Sequence, residues 1–344
     1  MKVLVTGAAG YIGSHTAFAL LKAGYEVVAL DNYSNSSPIS LQRVGELAER
    51  EPTVIECDCG DSRALTEVFD EHSDIEAVLH FAAFKAVGES TERPLDYYRN
   101  NVSGSIALLQ VMEEFEVHDI VFSSSCTVYG EPEYVPIDEK HSAGNVSSPY
   151  GRTKFVMESV IKDLCESDSR WNAAILRYFN PIGAHPSGDI GEDPLGVPEN
   201  LVPFVCRVAS GKIKQLRVFG NDYPTRDGTA IRDYVHVLDL AEAHLSAMEK
   251  VVQGRGCFVC NLGTGRGSTV QEVVTAFETA TGERINLENV ERRPGDVTEV
   301  WTDPSFAKDF LGWESKRGLE EALADAWRWQ SKNPQGYGKV EGIE

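Results

Sequence analysis

Short apolar runs alternate with helical-period stretches through the first half of the chain. Val3-Leu4-Val5 predicts a strand, Ile12 to Lys22 a helix stopped at Gly24, and Glu26 to Leu30 a second strand closed by Asp31-Asn32. Thr53–Cys57, Ala77–Phe81 and Asp119–Ser123 predict three more strands, with helices near Ser62–Phe69 and Leu95–Glu114. A further helix is predicted from Tyr150, just after Pro149, and then a strand at Asn172–Arg177. Repeated βα units with apolar strands predict an α/β fold, a doubly wound parallel sheet of the Rossmann kind. Such sheets bind ligands outside the carboxyl ends of their strands. Asp31, Asp58, Phe81 and the Ser123-Ser124-Ser125 cluster fall at or just beyond such ends.

The rhythm breaks after Asn180. Gly and Pro crowd the stretch from Pro181 to Pro198, which reads as loop. Helices are predicted near Leu201–Ala209, Asp239–Val251, Val270–Ala280 and Leu319–Trp329, and strands near Leu216–Phe219 and Phe258–Leu262. This describes a smaller, mixed α/β lobe. The expected division is residues 1–180 and 181–344, with a soft boundary because strands of the second part are free to rejoin the first sheet.

The first strand runs into Gly7-Ala8-Ala9-Gly10-Tyr11-Ile12-Gly13, which opens the first helix. The first glycine permits a tight turn, the second lets backbone approach a pyrophosphate, and the third allows close helix–strand packing. A loop of this kind can be a plain turn, but its place between strand and helix points to a dinucleotide. Asp31 follows about twenty residues on, where a carboxylate accepts ribose hydroxyls and repels a 2′-phosphate, favouring NAD over NADP. Asp58 could accept from the adenine amino group, or simply close a turn. Tyr150 and Lys154 share one helical face. An ammonium near a phenol favours the phenolate, so the tyrosine is expected below its usual value of about 10 and able to take a proton from an alcohol.

Taken together these segments resemble the extended class of the short-chain dehydrogenase/reductase superfamily. Longer stretches narrow the resemblance to its UDP-glucose 4-epimerase family: His80 to Ser90, Ser123 to Gly130, Leu176 to Pro181, Gly183 to Asp193 and Arg232 to Val237. It spans about Met1 to Gly336. It implies an NAD-binding domain at 1–180 and a UDP-sugar-binding domain at 181–344. It also implies interconversion of UDP-glucose and UDP-galactose through tightly bound NAD. Tyr150 would be the base, Lys154 its partner on the nicotinamide ribose, and Ser125 a relay at the sugar oxygen. NAD contacts are implied for Gly7, Gly10, Tyr11, Ile12, Gly13, Asp31, Asn32, Asn35, Ser36, Asp58, Cys59, Phe81, Ala82, Ala83, Lys85, Asn100 and Phe179, besides the catalytic three. Lys85, Tyr178, Phe179, Asn180, Asn200, Leu201 and Val300 would join Ser125 and Tyr150 around the sugar. Arg217, Val218 and Phe219 would meet uracil, Arg232 and Arg293 the diphosphate, and Asp296 the uridine ribose. A small residue at Val300, where a bulky aromatic restricts the pocket, implies that N-acetylated UDP-hexoses are also accepted. A homodimer is implied through the helices near Leu95–Glu114 and Tyr150–Asp163.

Composition narrows the partners. At 344 residues, 42% hydrophobic, the chain can bury a sizeable core. A net charge of -21 argues against nucleic acid or anionic membrane as partners. Seven cysteines, an odd number without framework spacing, are expected to be buried and reduced in a cytoplasmic protein. Cys57-x-Cys59 and Cys257-x-x-Cys260 sit in strand-like runs. Eight scattered histidines predict no metal site. No apolar h-region precedes the glycine loop and no run approaches a membrane span, so neither leader nor anchor is expected. Rival readings are a 4,6-dehydratase, a non-catalytic NAD sensor and an ordinary alcohol dehydrogenase. Dehydratases carry an Asp-Glu pair after the threonine, where this chain has Val128-Tyr129. A sensor needs no intact base, and a dehydrogenase must exchange its cofactor every turnover.

Overall fold

The computed structural model describes residues 1–293 and 295–338. Pro294, within the Arg292–Asp296 run, and residues 339–344, the end of the second expected domain, lie outside the described residues.

Six strands arise from the apolar runs of the first half: β1 (Lys2–Thr6), β2 (Glu26–Asp31), β3 (Thr53–Glu56), β4 (Ile75–His80), β5 (Asp119–Ser125) and β6 (Asn172–Tyr178). The later strands are β7 (Asn180–Ile182), β8 (Leu216–Phe219), β9 (Ile231–His236), β10 (Cys257–Leu262), β11 (Gly267–Thr269), β12 (Leu287–Val290) and β13 (Glu299–Val300). The helices are α1 (Tyr11–Lys22), α2 (Pro38–Ala48), α3 (Ser62–Glu71), α4 (Val87–Glu92), α5 (Pro94–Tyr98), α6 (Gly104–Glu114), α7 (Pro149–Ser167), α8 (Leu201–Ala209), α9 (Val237–Val251), α10 (Val270–Thr281) and α11 (Leu319–Lys332).

A seven-stranded parallel sheet runs in the order β10-β6-β5-β4-β1-β2-β3. Side chains alternate across it. Val3 and Val5 pack with α1, α2 and α9 on one face, while Leu4 packs with α3, α6 and α7 on the other. Both faces are therefore covered, which is why these strands read as continuous apolar runs. The strand order reverses between β1 and β4, the position where such sheets open a crevice. β10 comes from late in the sequence but pairs along its whole length with β6, from Cys257 opposite Ala173 to Leu262 opposite Tyr178. The remaining strands form two small sheets beyond the carboxyl edge. β9 lies among β7, β11 and β13, and β8 pairs with β12. Among the described residues no helix is long and apolar enough to cross a membrane.

Several expectations need correction. The helix expected at Leu95–Glu114 is α5 and α6 joined by a π-helical turn, Arg99–Ser103, from which Asn101 bonds Phe84 and Thr153. The expected loop from Pro181 includes most of β7, because its backbone pairs in parallel with β9. β3 ends at Glu56, so Cys57 and Cys59 lie beyond the strand. Cys257 is exposed rather than buried, since it starts the edge strand β10, and Cys126 and Cys165 are half-buried. Helix α2 went unread although its signal is present, a Ser37 cap accepting from the Ile39 N–H with Pro38 in the first turn.

One buried ion pair holds α7 to the sheet. Glu158, fully buried, accepts from Arg177 Nε of β6 at 2.8 Å and from a second guanidinium nitrogen. Ser124 of β5 also donates to it, at 2.5 Å. Removing one partner strands a charge in a dry site, so Glu158→Ala should destabilise the fold by about 3–5 kcal/mol. Pairing it with Arg177→Met should recover much of that loss, as read from urea midpoints of the single and double variants.

Candidate active site

The cleft is assembled from three kinds of local structure. At its first end β1 turns sharply into α1. Gly7 has φ +67, and a Cβ there would sit 2.7 Å from the Ala82 backbone nitrogen. A Cβ on Gly13 would meet the Gly7 carbonyl oxygen at 2.2 Å. Only glycines let β1, α1 and the segment after β4 approach this closely, leaving a backbone cradle at the N-terminus of α1 that suits a pyrophosphate. At the end of β2 the Asp31 carboxylate accepts from Ala9 N–H at 2.9 Å, Tyr33 N–H at 2.9 Å and the Ser36 hydroxyl at 2.7 Å. Of a carboxylate's roughly four lone-pair sites, three are filled and the group is fixed in place, still able to accept a ribose hydroxyl. Asp58 accepts from Asn32 Nδ2 at 2.8 Å and from Gly60 N–H at 2.7 Å. The residues present thus fit a dinucleotide with unmodified ribose.

The second structure is α7. Ser148 caps it by accepting the Gly151 N–H, and Pro149 occupies its first turn. This puts Tyr150 in that first turn, where the helix dipole favours an anion. Lys154 lies one turn on, 4% exposed, its ammonium donating to the Ser123 carbonyl oxygen at 2.6 Å and lying 5.0 Å from the Phe122 ring centre. Ser123 in turn shares a hydrogen bond with Tyr178 of β6. At the end of β5, Ser125 accepts from Thr127 N–H at 3.2 Å and Thr127 Oγ1 at 3.0 Å, and it lines the same cleft as Tyr150.

The acid–base picture differs from the sequence expectation. Burial pushes the Tyr150 phenol up to about 12, opposed by the Ser125 hydrogen bond that favours the phenolate. Burial also pushes the Lys154 ammonium down, to about 7, with Glu158 opposing it. The lowered phenol expected from sequence is therefore not found in this chain by itself. Desolvation is the largest cause for both groups, because the same dry pocket penalises both charged forms.

The third structure is the small sheet over the carboxyl edge. β9 and β13 run parallel with Val300 opposite Arg232. Arg232 donates to Asp296 at 2.8 Å, and the Arg293 guanidinium lies 3.9 Å from the Phe219 ring centre. Val300 packs with Phe179 and Tyr129 in a small apolar cluster. Asn200 precedes α8 and donates to Glu192 at 3.2 Å, and Glu192 also holds Lys85 at 2.8 Å.

Every site residue named from sequence, from Gly7 to Val300, lines one cleft of about 2310 Å³. Their immediate partners are not all as expected. Tyr11 donates its hydroxyl to the Gly183 carbonyl at 2.7 Å, and Asn100 donates to Asn101 Oδ1 at 2.9 Å. Sequence reasoning missed the supports: Ser123, Asn101, Glu158, Glu192 and His80. Asn101 accepts from Phe84 N–H at 2.8 Å and donates to Thr153 at 3.1 Å, tying the segment after β4 to α7. His80 bridges Thr6 and Ser105 at 2.7 Å each, and burial pushes it down to about 3, so it acts as a neutral link. Such roles leave no local signal beyond a polar residue in an apolar run.

The profile of the NAD dependent epimerase/dehydratase family matches residues 3–263. UDP-glucose 4-epimerase of Bacillus subtilis is 55% identical over 341 residues, covering 99% of this chain and 100% of that protein. The Homo sapiens UDP-glucose 4-epimerase is 52% identical, covering 98% of each. Among solved structures, UDP-glucose 4-epimerase from Stenotrophomonas maltophila, with bound NAD and formylated UDP-arabinopyranose, superposes with a TM-score of 0.95. It is 44% identical and covers 97% of this chain and 99% of that one. The Bifidobacterium longum enzyme, in complex with NAD+ and UDP, gives 0.94 at 44% identity, covering 98% and 100%.

The Lys154 shift has a sign. Its folded value, about 7, lies below the ordinary 10.5. Between these values the unfolded chain binds the extra proton, so stability rises with pH across that window and the penalty is full below it. In the cofactor-free chain, Lys154→Met should be more stable than the parent by a few kcal/mol at about pH 6, with the gap closing by about pH 10. Urea midpoints at the two pH values check this, and a pH-independent gap contradicts it.

Proposed function

This chain belongs to the NAD-dependent epimerase/dehydratase family, and we infer that it interconverts UDP-glucose and UDP-galactose by inverting sugar carbon 4. One observation carries the reading: Tyr150, Lys154 and Ser125 share a single cleft with the glycine cradle at one end and the Arg232 and Arg293 guanidinium groups at the other. The cofactor is NAD, which supplies a hydride acceptor at carbon 4 that gives back what it takes, so none is consumed.

The protein's own groups have separate tasks. Tyr150 takes the proton of the 4-hydroxyl and later returns one. The Ser125 hydroxyl and the first turn of α7 both favour the phenolate this creates. Lys154, held by the Ser123 carbonyl, keeps a positive charge one helical turn from that phenolate and is placed to bind ribose hydroxyls. Between the two transfers the 4-keto sugar must present its other face, so the hexose needs loose contacts and the nucleotide firm ones. Arg232 and Arg293 suit the diphosphate, since planar guanidinium groups grip phosphate oxygens in pairs. The first turn of α8, with Asn200 and Leu201, adds backbone N–H groups beside them. Arg217, Val218 and Phe219 on β8 are assigned to uracil, and Asp296, oriented by Arg232, to the uridine ribose.

Val300 supports a broader substrate range. A valine opposite Arg232 leaves space at the cleft wall that a large aromatic would fill, so UDP-N-acetylglucosamine is proposed as a second substrate. The reading extends to a homodimer through α5, α6 and α7, supported by Leu95, which stands 80% exposed on α5. It places the chain in the cytoplasm, supported by seven cysteines without a disulfide framework.

Incubating the purified protein with UDP-galactose and no added cofactor should yield UDP-glucose. Stoichiometric NADH release would indicate a dehydrogenase instead, and a keto product absorbing in alkali a dehydratase. Tyr150→Phe should lower kcat by about 10²–10⁴ while NAD stays bound. Unchanged turnover in that variant would overturn the assignment of the base. For the second substrate, Val300→Tyr should cut kcat/KM for UDP-N-acetylglucosamine by at least about tenfold relative to UDP-galactose. Equal losses on both substrates would remove Val300 as the gate.

A further inference from the structure

Two cysteines line one small cavity near the C-terminal end of α7, about three helical turns beyond Lys154. Cys165 lies in the last turn of α7, and Cys257 opens β10, the edge strand of the parallel sheet. Both line a small cavity of about 480 Å³, together with Lys162, Glu166, Trp171 and Phe258. The two cysteines thus share one cavity wall, and Cys257 is exposed. The large cleft described above does not include either of them.

We propose that Cys165 and Cys257 form a dithiol site that reacts with small-molecule disulfides and closes into a bridge between α7 and β10.

The environment separates the two thiols into distinct roles. Cys257 is held below its ordinary value by the hydrogen bond from Cys165 and the charge of Lys162, against burial and the carboxylates of Glu158 and Glu166. The Cys165 thiol is raised by that same hydrogen bond and by burial, as befits the donor. Cys257 is therefore the attacking group and Cys165 the resolving one. Elsewhere burial pushes Cys57 up to about 11 and Cys126 up to about 12, and Cys206 and Cys260 are buried too.

The chemistry balances as two exchanges. The Cys257 thiolate attacks one sulfur of the small disulfide, forming a mixed disulfide and expelling one thiolate. Cys165 then gives up its proton and attacks the Cys257 sulfur, expelling the second thiolate and forming the protein S–S bond. The protein loses two hydrogens and two electrons, and the small disulfide becomes two thiols. Closure requires the two sulfurs to approach across the shared cavity to about 2.05 Å.

The test treats the NAD-loaded protein with oxidised glutathione and reads intact mass, free thiols and cross-linked peptides. The expected product is about 2 Da lighter than the reduced protein, with two thiols lost and the Cys165 and Cys257 peptides joined. Cys257→Ser should abolish the reaction, and Cys165→Ser should instead retain a stable glutathione adduct on Cys257. A wild-type adduct that never resolves, a bridge between two copies of the chain, or earlier reaction at another cysteine would each overturn the proposal. None of these readouts depends on turnover of a UDP-sugar, so the dithiol and the epimerase reading stand or fall separately.

Discussion

A lysine ammonium buried beside a parallel sheet must find oxygen, and the centre of this molecule is organised around that need. Lys154 reaches the Ser123 carbonyl at 2.6 Å, near the carboxyl end of β5. One turn further along α7, Glu158 is locked by Arg177 and Ser124, which prevents the helix from sliding or rotating relative to β5 and β6. The position of Tyr150 follows from these contacts together with the Ser148 cap. Burial is nevertheless unfavourable to every charge involved. It pushes Tyr150 up and Lys154 down, so the dry pocket works against the charged form of each.

The second lobe answers a different constraint. A diphosphate brings negative charge to a chain of net charge -21, and the local field has to be reversed by a few guanidinium groups. Arg232 on β9 and Arg293 before β13 are the groups proposed for this, one donating to Asp296 and the other over the Phe219 ring. Asp233, the neighbour of Arg232, is fully buried and accepts the Thr264 N–H at 2.9 Å, the Thr264 hydroxyl at 2.6 Å and the Gly265 N–H at 3.1 Å. This ties β9 to the turn after β10 and so to the main sheet. Arg232 is thus carried by a strand tied to the main sheet, against which α7 with Tyr150 also packs.

Much of this was legible before the fold. Strand and helix periods located the parallel sheet because both faces of each strand are buried, which leaves an unmistakable apolar run. The glycine loop, Asp31, Tyr150 and Lys154 were readable because their chemistry depends on short local spacings. The π turn at Arg99–Ser103 was not, since its sequence is compatible with a continuous helix and only the packing of Asn101 against Phe84 and Thr153 selects the bulge. Strands β7, β11 and β13 are two or three residues long and exist only as pairings with β9 or its neighbours, so no periodicity could announce them. The phenol was misjudged for a similar reason. Spacing along a helix reveals a neighbouring charge but says nothing about how dry the pocket is, and here desolvation is the larger effect.

The contrast between the two ends of the cleft bears on why inversion at carbon 4 suits this architecture. At the dinucleotide end the contacts are backbone and rigid: a cradle without side chains, and a carboxylate held by three donors. At the nucleotide end they are long side chains with planar groups, pre-paired but able to exchange partners. Between them the walls include small or apolar side chains such as Ala82, Ala83, Phe179 and Val300. Such walls exclude water without fixing hydroxyl groups, so a sugar anchored only through its phosphates keeps rotational freedom. Strong hydrogen bonds to the hexose would slow its turnover between faces, and weak ones at the diphosphate would release the keto sugar before re-reduction. On the proposed reading, the charged donors gather at the phosphates and the ring is left to Tyr150 and Ser125, the two groups that would act on either face.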